Sequence, residues 1–200
     1  TALQALLRRY CRREVLRIGG RALTGLASVD DTVRELSALA EGVVDVATRA
    51  VRARVAAEWG ADTPVAFVVL GMGKLGGGEL NYSSDIDLVY VYGEEADHPS
   101  GKPVRLFFAK VAEEVSKALG EVTEDGFCFR VDVRLRPGGD QSPLAVSLTG
   151  TLEHYEAWGQ TWERSVWLKA RPVGGDRALG TALLDELGPF VFRRYLDFAT

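Results

Sequence analysis

The sequence is poor in the residues that build disulfide scaffolds and zinc sites. It contains two cysteines and two histidines among 200 residues. Cys11 and Cys128 are far apart in the chain and each has apolar neighbours, so free thiols are expected rather than a disulfide. With His98 and His154 as the two histidines, a Cys/His zinc site has almost no support.

A long apolar run and a marked charge imbalance are also missing. No stretch approaches the roughly 20 apolar residues that span a bilayer, and no signal peptide opens the sequence. A net charge of −4 and a pI near 5.3 give no general attraction to nucleic acid or acidic membranes. We therefore expect a cytoplasmic protein that binds neither. Because there is no initiator methionine and both ends stop abruptly, we also expect a piece of a longer protein.

The residues that are present suit an ordinary globular protein, with 46% hydrophobic and 26% charged residues. Apolar residues at helical spacing predict a first helix over residues 2–18, ended by Gly19 and Gly20, and a second that runs to Trp59. Residues 1–60 are therefore expected to form a helical segment packed on the rest of the chain.

The core of the fold is expected in residues 61–148. Its predicted elements are strands at residues 65–70, 85–92 and 128–135 and an amphipathic helix at residues 103–119, with Leu106 facing inward. Residues 149–200 are expected to complete the core as three or four helical segments. Breaks between these segments are predicted at Gly159, at residues 172–175 and at residues 188–189.

A glycine-rich stretch follows the first strand and allows two interpretations. Gly71, Gly73 and Gly76 match G-x-G-x-x-G, the dinucleotide-binding fingerprint, and acids stand about 20 residues further on. That fold needs a helix directly after the loop, whereas three consecutive glycines and few apolar positions follow here. A Walker phosphate loop is also disfavoured, because Leu75 stands where Ser or Thr is required.

Two acids at the second strand favour a metal site instead. Asp85 and Asp87 are two residues apart, so on a strand their side chains project from one face about 7 Å apart. Adjacent carboxylates resist burial unless a cation neutralises them, and Mg²⁺ accepts hard oxygen ligands and shares phosphate oxygens. If the strand carrying Asp132 pairs beside this one, three acids converge to hold two ions for displacement at phosphorus. The alternative is an exposed strand end with solvated carboxylates.

The glycine turn, the two acids on a strand and the later third acid together resemble the polymerase-β-like nucleotidyltransferases. Three blocks are more narrowly similar to the glutamine synthetase adenylyltransferase family: GMGKLGGGELNYSSDIDL at residues 71–88, RVDVRLRP at residues 130–137, and WER with LKARPV within residues 162–173. The resemblance implies an α+β fold with a small mixed sheet and packed helices. Gly78 departs from the family pattern, in which a large residue is common.

The family adds AMP to glutamine synthetase and removes it, with the pattern present in both halves of one long chain. The resemblance implies that Asp85, Asp87 and Asp132 are catalytic and bind two Mg²⁺ ions, with Mn²⁺ as an alternative. It also implies that ADP or ATP and inorganic phosphate contact Gly73, Lys74, Ser84, Arg134, Arg136, Lys169 and Arg171. For each basic residue, the alternative is a structural role as the partner of a nearby acid.

Residues 81–87 and the tail at 189–198 are more similar to the adenylyl-removing half. This implies phosphorolysis of adenylyl-tyrosine on glutamine synthetase, which yields ADP and unmodified enzyme. The alternatives are the adenylylating domain of the same family and a non-catalytic nucleotide-binding regulatory module. Glutamine synthetase is the expected partner, with a PII-type regulatory protein and glutamine acting through other parts of the longer chain.

Three tryptophans lie near helical spacing in the last quarter of the chain. Trp158, Trp162 and Trp167 could stack on adenine, but aromatic residues in such a pattern are more often core, and core positions are expected. His154 is expected to be a structural or surface histidine rather than a base.

Overall fold

The structure, a computed structural model, describes residues 2–193, in which helices cover a small mixed sheet. The helices are α1 (Ala2–Leu23), α2 (Val29–Trp59), α3 (Gly73–Gly76), α4 (Val104–Gly120), α5 (Leu148–Trp158), α6 (Thr161–Trp167) and α7 (Arg177–Val191). The strands are β1 (Phe67–Gly71), β2 (Ile86–Tyr92), β3 (Val131–Asp132), β4 (Ala145–Ser147) and β5 (Arg171–Gly175), and a 3₁₀ turn covers Gly139–Gln141. This architecture confirms the predicted α+β class. Within residues 2–193, none of the helices combines the length and apolar character needed to cross a bilayer.

The sheet follows the order β3-β2-β1-β5, and β4 also pairs with β2. β1 and β2 are antiparallel, with Phe67 opposite Tyr92, whereas β2 and β3 are parallel. A dinucleotide-binding unit joins two parallel strands through a crossover helix. The antiparallel pairing of β1 with β2 excludes that unit here, as predicted from the sequence.

Alternate residues of β1 enter two different cores. Phe67 and Val69 pack into the larger core with α1, α2 and α4. Val68 and Leu70 pack into the smaller core with α5, α6 and α7. Because helices cover both faces of the sheet, the strand reads as an unbroken apolar run rather than an alternating one.

The first helix is longer than predicted, because α1 continues through residues 19–20 to Leu23. Ile18 is buried just before the glycine pair, and Arg21 just beyond it forms an ion pair with Glu35 of α2. These contacts with α2 offset the roughly 1 kcal/mol that each glycine costs in a helix interior. The predicted helix end at this pair is wrong.

The inward face of α4 differs from the predicted one. Leu106 is 48% exposed, whereas Val104, Phe107 and Phe108 are buried. The helix begins at Val104, and residues three and four positions later share its face. Leu106 lies outside that face, so its predicted inward position is wrong.

The predicted helix break at residues 172–175 does separate α6 from α7, but as a strand, whereas the predicted break at residues 188–189 is wrong. The segment at residues 172–175 belongs to β5, which pairs antiparallel with β1 at the edge of the sheet, where proline is tolerated. α7 passes through residues 188–189 and ends two residues beyond Pro189. Proline near a helix end costs less than in mid-helix because few carbonyls remain to be paired.

The alternating segment at residues 128–135 forms a shorter strand than predicted, since β3 contains two residues. The amides of Cys128 and Phe129 both donate to the carbonyl of Leu119 at the end of α4, over 3.0 and 3.2 Å. They are therefore not available to a neighbouring strand. Cys128 and Cys11 are both free thiols that line one cleft beside α1.

Candidate active site

Three aspartates lie together at the end of the sheet where β2 and β3 begin. Asp87 and Asp132 are register partners on the two parallel strands. Asp85 precedes β2 by one residue, and its side chain is 51% exposed, against 16% for Asp132. The predicted pairing of the strand that carries Asp132 with the strand that carries Asp87 is confirmed.

Asp87 is the carboxylate with the least favourable surroundings. Burial raises its pKa, and the negative charges of Asp132 and Asp85 raise it further, against weaker opposing effects of Arg134 and Lys74. Asp132 behaves differently, because hydrogen bonds from Arg134 lower its pKa. Ionised Asp87 therefore lacks a close positive partner, and a bound cation would supply one.

Two arginines hold the outer acids of this group. Arg130 donates from Nε to Asp85 Oδ1, and Arg134 donates from Nε to both carboxylate oxygens of Asp132, over 3.0 and 2.9 Å. In this arrangement no three acidic, histidine or cysteine side chains within residues 2–193 are grouped closely enough to hold a metal ion. The donor set nevertheless fits a hard divalent cation, because it consists of carboxylate oxygens around a half-buried acid without its own counter-ion.

The glycine loop packs directly against these acids. Gly73 has φ of +52°, and a Cβ atom there would lie 2.9 Å from Oδ2 of Asp87. A Cβ on Gly76 would lie 2.1 Å from the carbonyl oxygen of Lys169. The glycines are therefore required for close approach of the backbone to Asp87 and to the segment before β5. α3 is a single turn, too short to be the crossover helix of a dinucleotide site.

Lys74 and Ser84 both contact Asn81, which was not among the site residues predicted from the sequence. Lys74 donates from Nζ to Oδ1 of Asn81 over 3.2 Å, and the hydroxyl of Ser84 donates to the same oxygen. Both side chains are thus held beside the turn that leads to Asp85. The position of Asn81 in the NYSSDID block is the sequence signal that could have identified it.

The same turn contains an unusual backbone conformation. Ser83 has φ of +59°, the one positive value at a non-glycine position in the described chain. For a residue other than glycine, that conformation costs roughly 1–2 kcal/mol. Arg130 donates from Nη2 to the Ser83 carbonyl while its Nε holds Asp85, so one guanidinium fixes both the turn and the acid. Arg130 also was not selected from the sequence.

The other basic residues predicted to contact phosphate have protein partners in the structure. Arg134 contacts the group through Asp132, as described above. Arg136 is buried and donates to the Val133 carbonyl over 2.7 Å, and Arg171 donates to Glu41 over 2.6 Å. Lys169 forms an exposed ion pair of 2.7 Å with Glu79. These three side chains hold loops and helices around the site, which is the structural alternative for basic residues.

A cleft of about 220 Å³ opens beside Arg134 and is lined by Trp158 and Trp162. The two indoles are 72% and 60% exposed, so the predicted core positions are wrong for both, whereas Trp167 is 2% exposed and belongs to the smaller core. The sequence pattern could not separate them because all three lie near helical spacing. His154, also in the cleft wall, accepts a hydrogen bond from the Gly138 amide, a structural contact.

Comparison with known proteins gives consistent matches along the chain. The model of the glutamate-ammonia ligase adenylyltransferase family matches residues 1–186. Three similar relatives are each named bifunctional glutamine synthetase adenylyltransferase/adenylyl-removing enzyme. The protein of Xanthomonas campestris pv. campestris is 44% identical over 97% of this chain and 22% of its own length. Those of Pseudomonas aeruginosa and Stenotrophomonas maltophilia are 45% and 46% identical over 96% and 97% of this chain. The chain spans about a fifth of the length of these relatives.

Proposed function

The chain belongs to the glutamate-ammonia ligase adenylyltransferase family, and from that membership we propose that it is a nucleotidyltransferase domain acting on glutamine synthetase. The proposed reaction is removal of AMP from an adenylylated tyrosine of that enzyme. One observation carries the proposal. Asp87 and Asp132 stand opposite each other on parallel strands, with Asp85 beside them and a glycine loop against Asp87.

The proposed chemistry is phosphorolysis. An oxygen of inorganic phosphate attacks the phosphorus of the AMP group, the bond from phosphorus to the tyrosine oxygen breaks, and that oxygen takes up a proton. The products are ADP and free tyrosine. Such transfers depend mainly on alignment and on neutralising charge on the phosphoryl oxygens, which groups fixed by the fold can provide.

The residues of the site have distinct proposed roles. Asp85, Asp87 and Asp132 would hold Mg²⁺ or Mn²⁺, two ions in the full arrangement, which would neutralise phosphoryl oxygens when bound. Lys74 binds and orients the phosphates through its ammonium group, beside the hydroxyl of Ser84. In the adenylylating alternative, in which the tyrosine oxygen attacks ATP and pyrophosphate leaves, Asp132 would also accept the tyrosine proton.

The remaining proposed phosphate contacts support the site from its rim. The backbone of Gly73 packs against Asp87 and would contribute its amide, and the Arg134 guanidinium holds Asp132. A guanidinium matches two phosphate oxygens at once, so Arg134 exchanges Asp132 for substrate. Arg136, Lys169 and Arg171 are proposed to contribute positive charge around the site. Their main role is to hold the surrounding structure through the partners described above.

The choice of the removing direction rests on the resemblance of residues 81–87 and of the tail at 189–198. The last part of that tail, residues 194–198, lies outside the described residues. The proposal further places the protein in the cytoplasm. Glutamine and a PII-type protein are proposed to act through other parts of the longer chain.

The experiment is an assay in both directions with one preparation. The chain is incubated with adenylylated glutamine synthetase, phosphate and Mg²⁺ while ADP is measured, and separately with unmodified glutamine synthetase and ATP while pyrophosphate is measured. Formation of ADP supports the removing activity. Formation of pyrophosphate instead would reassign the domain to the adding activity, and no product in either assay would favour the regulatory module.

The assay needs a variant that separates catalysis from folding. Asp87→Asn removes charge with little change in volume and should lower turnover at least about 1,000-fold, since metal-assisted charge stabilisation is worth several kcal/mol. Asp185→Asn, at an exposed position of α7, is the matched control and should retain full turnover.

A further inference from the structure

The cleft beside Arg134 presents two large aromatic side chains to solvent. Trp158 is the last residue of α5 and Trp162 is the second residue of α6, and both line the cleft. Their exposures of 72% and 60% contrast with the burial of Trp167 in the same region. Indoles left in water beside a concave surface are a typical feature of a binding site.

The turn between α5 and α6 fixes the two indoles relative to each other. A Cβ on Gly159 would lie 2.4 Å from Cε2 of Phe190 and 2.5 Å from the carbonyl oxygen of Tyr155, so the turn is pressed against α7. α6 then begins with the Gln160 amide donating to Oε2 of Glu163 over 2.7 Å. The two indoles that line the cleft are therefore held by a closely packed turn.

The opposite wall is polar and adjoins the acids. The Gly138 amide donates to Nε2 of His154 over 3.2 Å, which leaves the ring proton on Nδ1 as a donor. Arg134 lines the cleft while its guanidinium holds Asp132. Arg134 thus borders the cleft and binds one of the three aspartates.

We propose that this cleft binds the purine base of the adenylate, stacked against the indoles of Trp158 and Trp162, with the phosphates directed past Arg134 toward the aspartates. The inference rests on the proposed function and names the base subsite that it requires. A volume of about 220 Å³ is below the roughly 300–1,000 Å³ of pockets that enclose a whole drug-sized ligand, so the cleft takes a flat ring and leaves the ribose outside.

The modified tyrosine of the protein substrate is the competing occupant, because it is attached to the same phosphorus. Its phenyl ring has no hydrogen-bond acceptor, whereas a purine has ring nitrogens that can accept hydrogen bonds. The purine also has the larger stacking face. The two exposed indoles therefore favour the base.

The test compares a ligand that has a base with one that has none. Binding of ADP and of pyrophosphate, each with Mg²⁺, is measured by calorimetry on the 200-residue chain and on Trp158→Ala and Trp162→Ala. Each substitution should weaken ADP binding at least about fivefold and change pyrophosphate binding less than about twofold, as expected for loss of base stacking. Trp158→Phe and Trp162→Phe should recover most of the ADP affinity.

Tryptophan fluorescence gives a second readout. ADP should quench the emission of the chain, and the quenching should persist in Trp59→Phe, whose indole packs on Phe107 against the larger core. It should decrease in the Trp158 and Trp162 variants. Quenching that depends on Trp59 instead would overturn the assignment.

The outcomes separate the base subsite from the proposed function. ADP affinity unchanged in both alanine variants, or weakened binding of glutamine synthetase with ADP binding intact, overturns the base subsite even if phosphorolysis is observed. Selective loss of ADP affinity in the alanine variants supports the subsite even if neither adenylyl reaction is detected. In that case the proposed reaction fails while the nucleotide site stands.

Discussion

Asp87 on β2 and Asp132 on β3 face each other across two parallel strands. Burial raises the pKa of Asp87, and the negative charges of Asp132 and Asp85 raise it further. Arg130 and Arg134 compensate the outer acids but leave Asp87 without a close cation. The site thus carries unbalanced negative charge at its centre, which a divalent ion would relieve.

We expect divalent cations to stabilise the fold through this centre. At about 100 times the dissociation constant, Mn²⁺ or Mg²⁺ should add about 2.7 kcal/mol and raise the melting temperature of a chain this size by roughly 5–10 °C. Asp87→Asn should melt higher than the parent without metal, because a repelled charge is gone, and should lose the response to metal. Asp185→Asn should respond like the parent. An undiminished metal response in Asp87→Asn would exclude Asp87 as a ligand.

Gly73→Ala should damage the site more than the fold. At φ of +52° alanine costs roughly 1–2 kcal/mol, and its Cβ would also approach Asp87 Oδ2 to 2.9 Å. Moving a catalytic carboxylate by a fraction of an ångström to 1 Å lowers turnover on the order of 100-fold.

Gly78→Ala is the matched control for that substitution. Gly78 has φ of +71°, and a Cβ there would meet no atom within 4 Å. Gly78→Ala should lose as much stability in denaturant melts as Gly73→Ala, but its turnover should be nearly unchanged. Equal turnover in the two variants would mean that contact with Asp87 is unimportant.

The sequence was sufficient for the parts of the fold that depend on local pattern. α2 and β2 follow from periodicity, since a continuous apolar face or run was present. The length of α1 and the exposure of Leu106 were not predictable, because packing against α2 and the start of α4 decide them. The pairing of β5 with β1 also depends on the tertiary fold and has no signal in RPVGG itself.

For the candidate site, the sequence identified the acids and the glycine loop but not their supports. Asp85, Asp87 and Asp132 belong to recognisable motifs, and the register of β2 with β3 places two of them opposite each other. Arg130 and Asn81 act through contacts with residues distant in sequence or within an irregular turn. Such contacts leave no periodic pattern to read.

Lys74→Ala should act on phosphate binding. The ammonium contacts Asn81 Oδ1 at 3.2 Å and does not contact an acid of the site in the interactions described, so it is free to exchange this weak bond for phosphate. Loss of a charged hydrogen bond should raise the KM for phosphate about 10-fold or more, with a smaller change in kcat. Lys117→Ala, an exposed lysine of α4, should leave both constants unchanged. An unaltered KM for phosphate in Lys74→Ala would remove Lys74 from the phosphate site.

The contacts between α2 and α4 predict how the stability of the fold depends on pH. Glu114 of α4 receives a hydrogen bond of 2.8 Å from Lys110 and one of 2.7 Å from Arg54 of α2. These contacts lower its pKa from 4.5 to about 2. Because the folded pKa lies below the unfolded one, the stabilisation is complete above pH 4.5 and is lost as the pH falls through about 2.

Glu114→Gln should therefore lower the free energy of unfolding by about 1 kcal/mol at pH 7, which is the upper range for partly exposed ion pairs. The loss should become progressively smaller between pH 4.5 and pH 2. Urea melts at pH 7, 4 and 2.5 measure the difference from the parent chain. Glu113→Gln is the control, because Glu113 pairs with Lys110 and Lys117 on its own helix and forms no described bridge to α2. Its effect should be smaller at every pH. A Glu114→Gln deficit that stays constant from pH 7 to pH 2.5 would show that the bridge between α2 and α4 depends on packing rather than on the carboxylate charge.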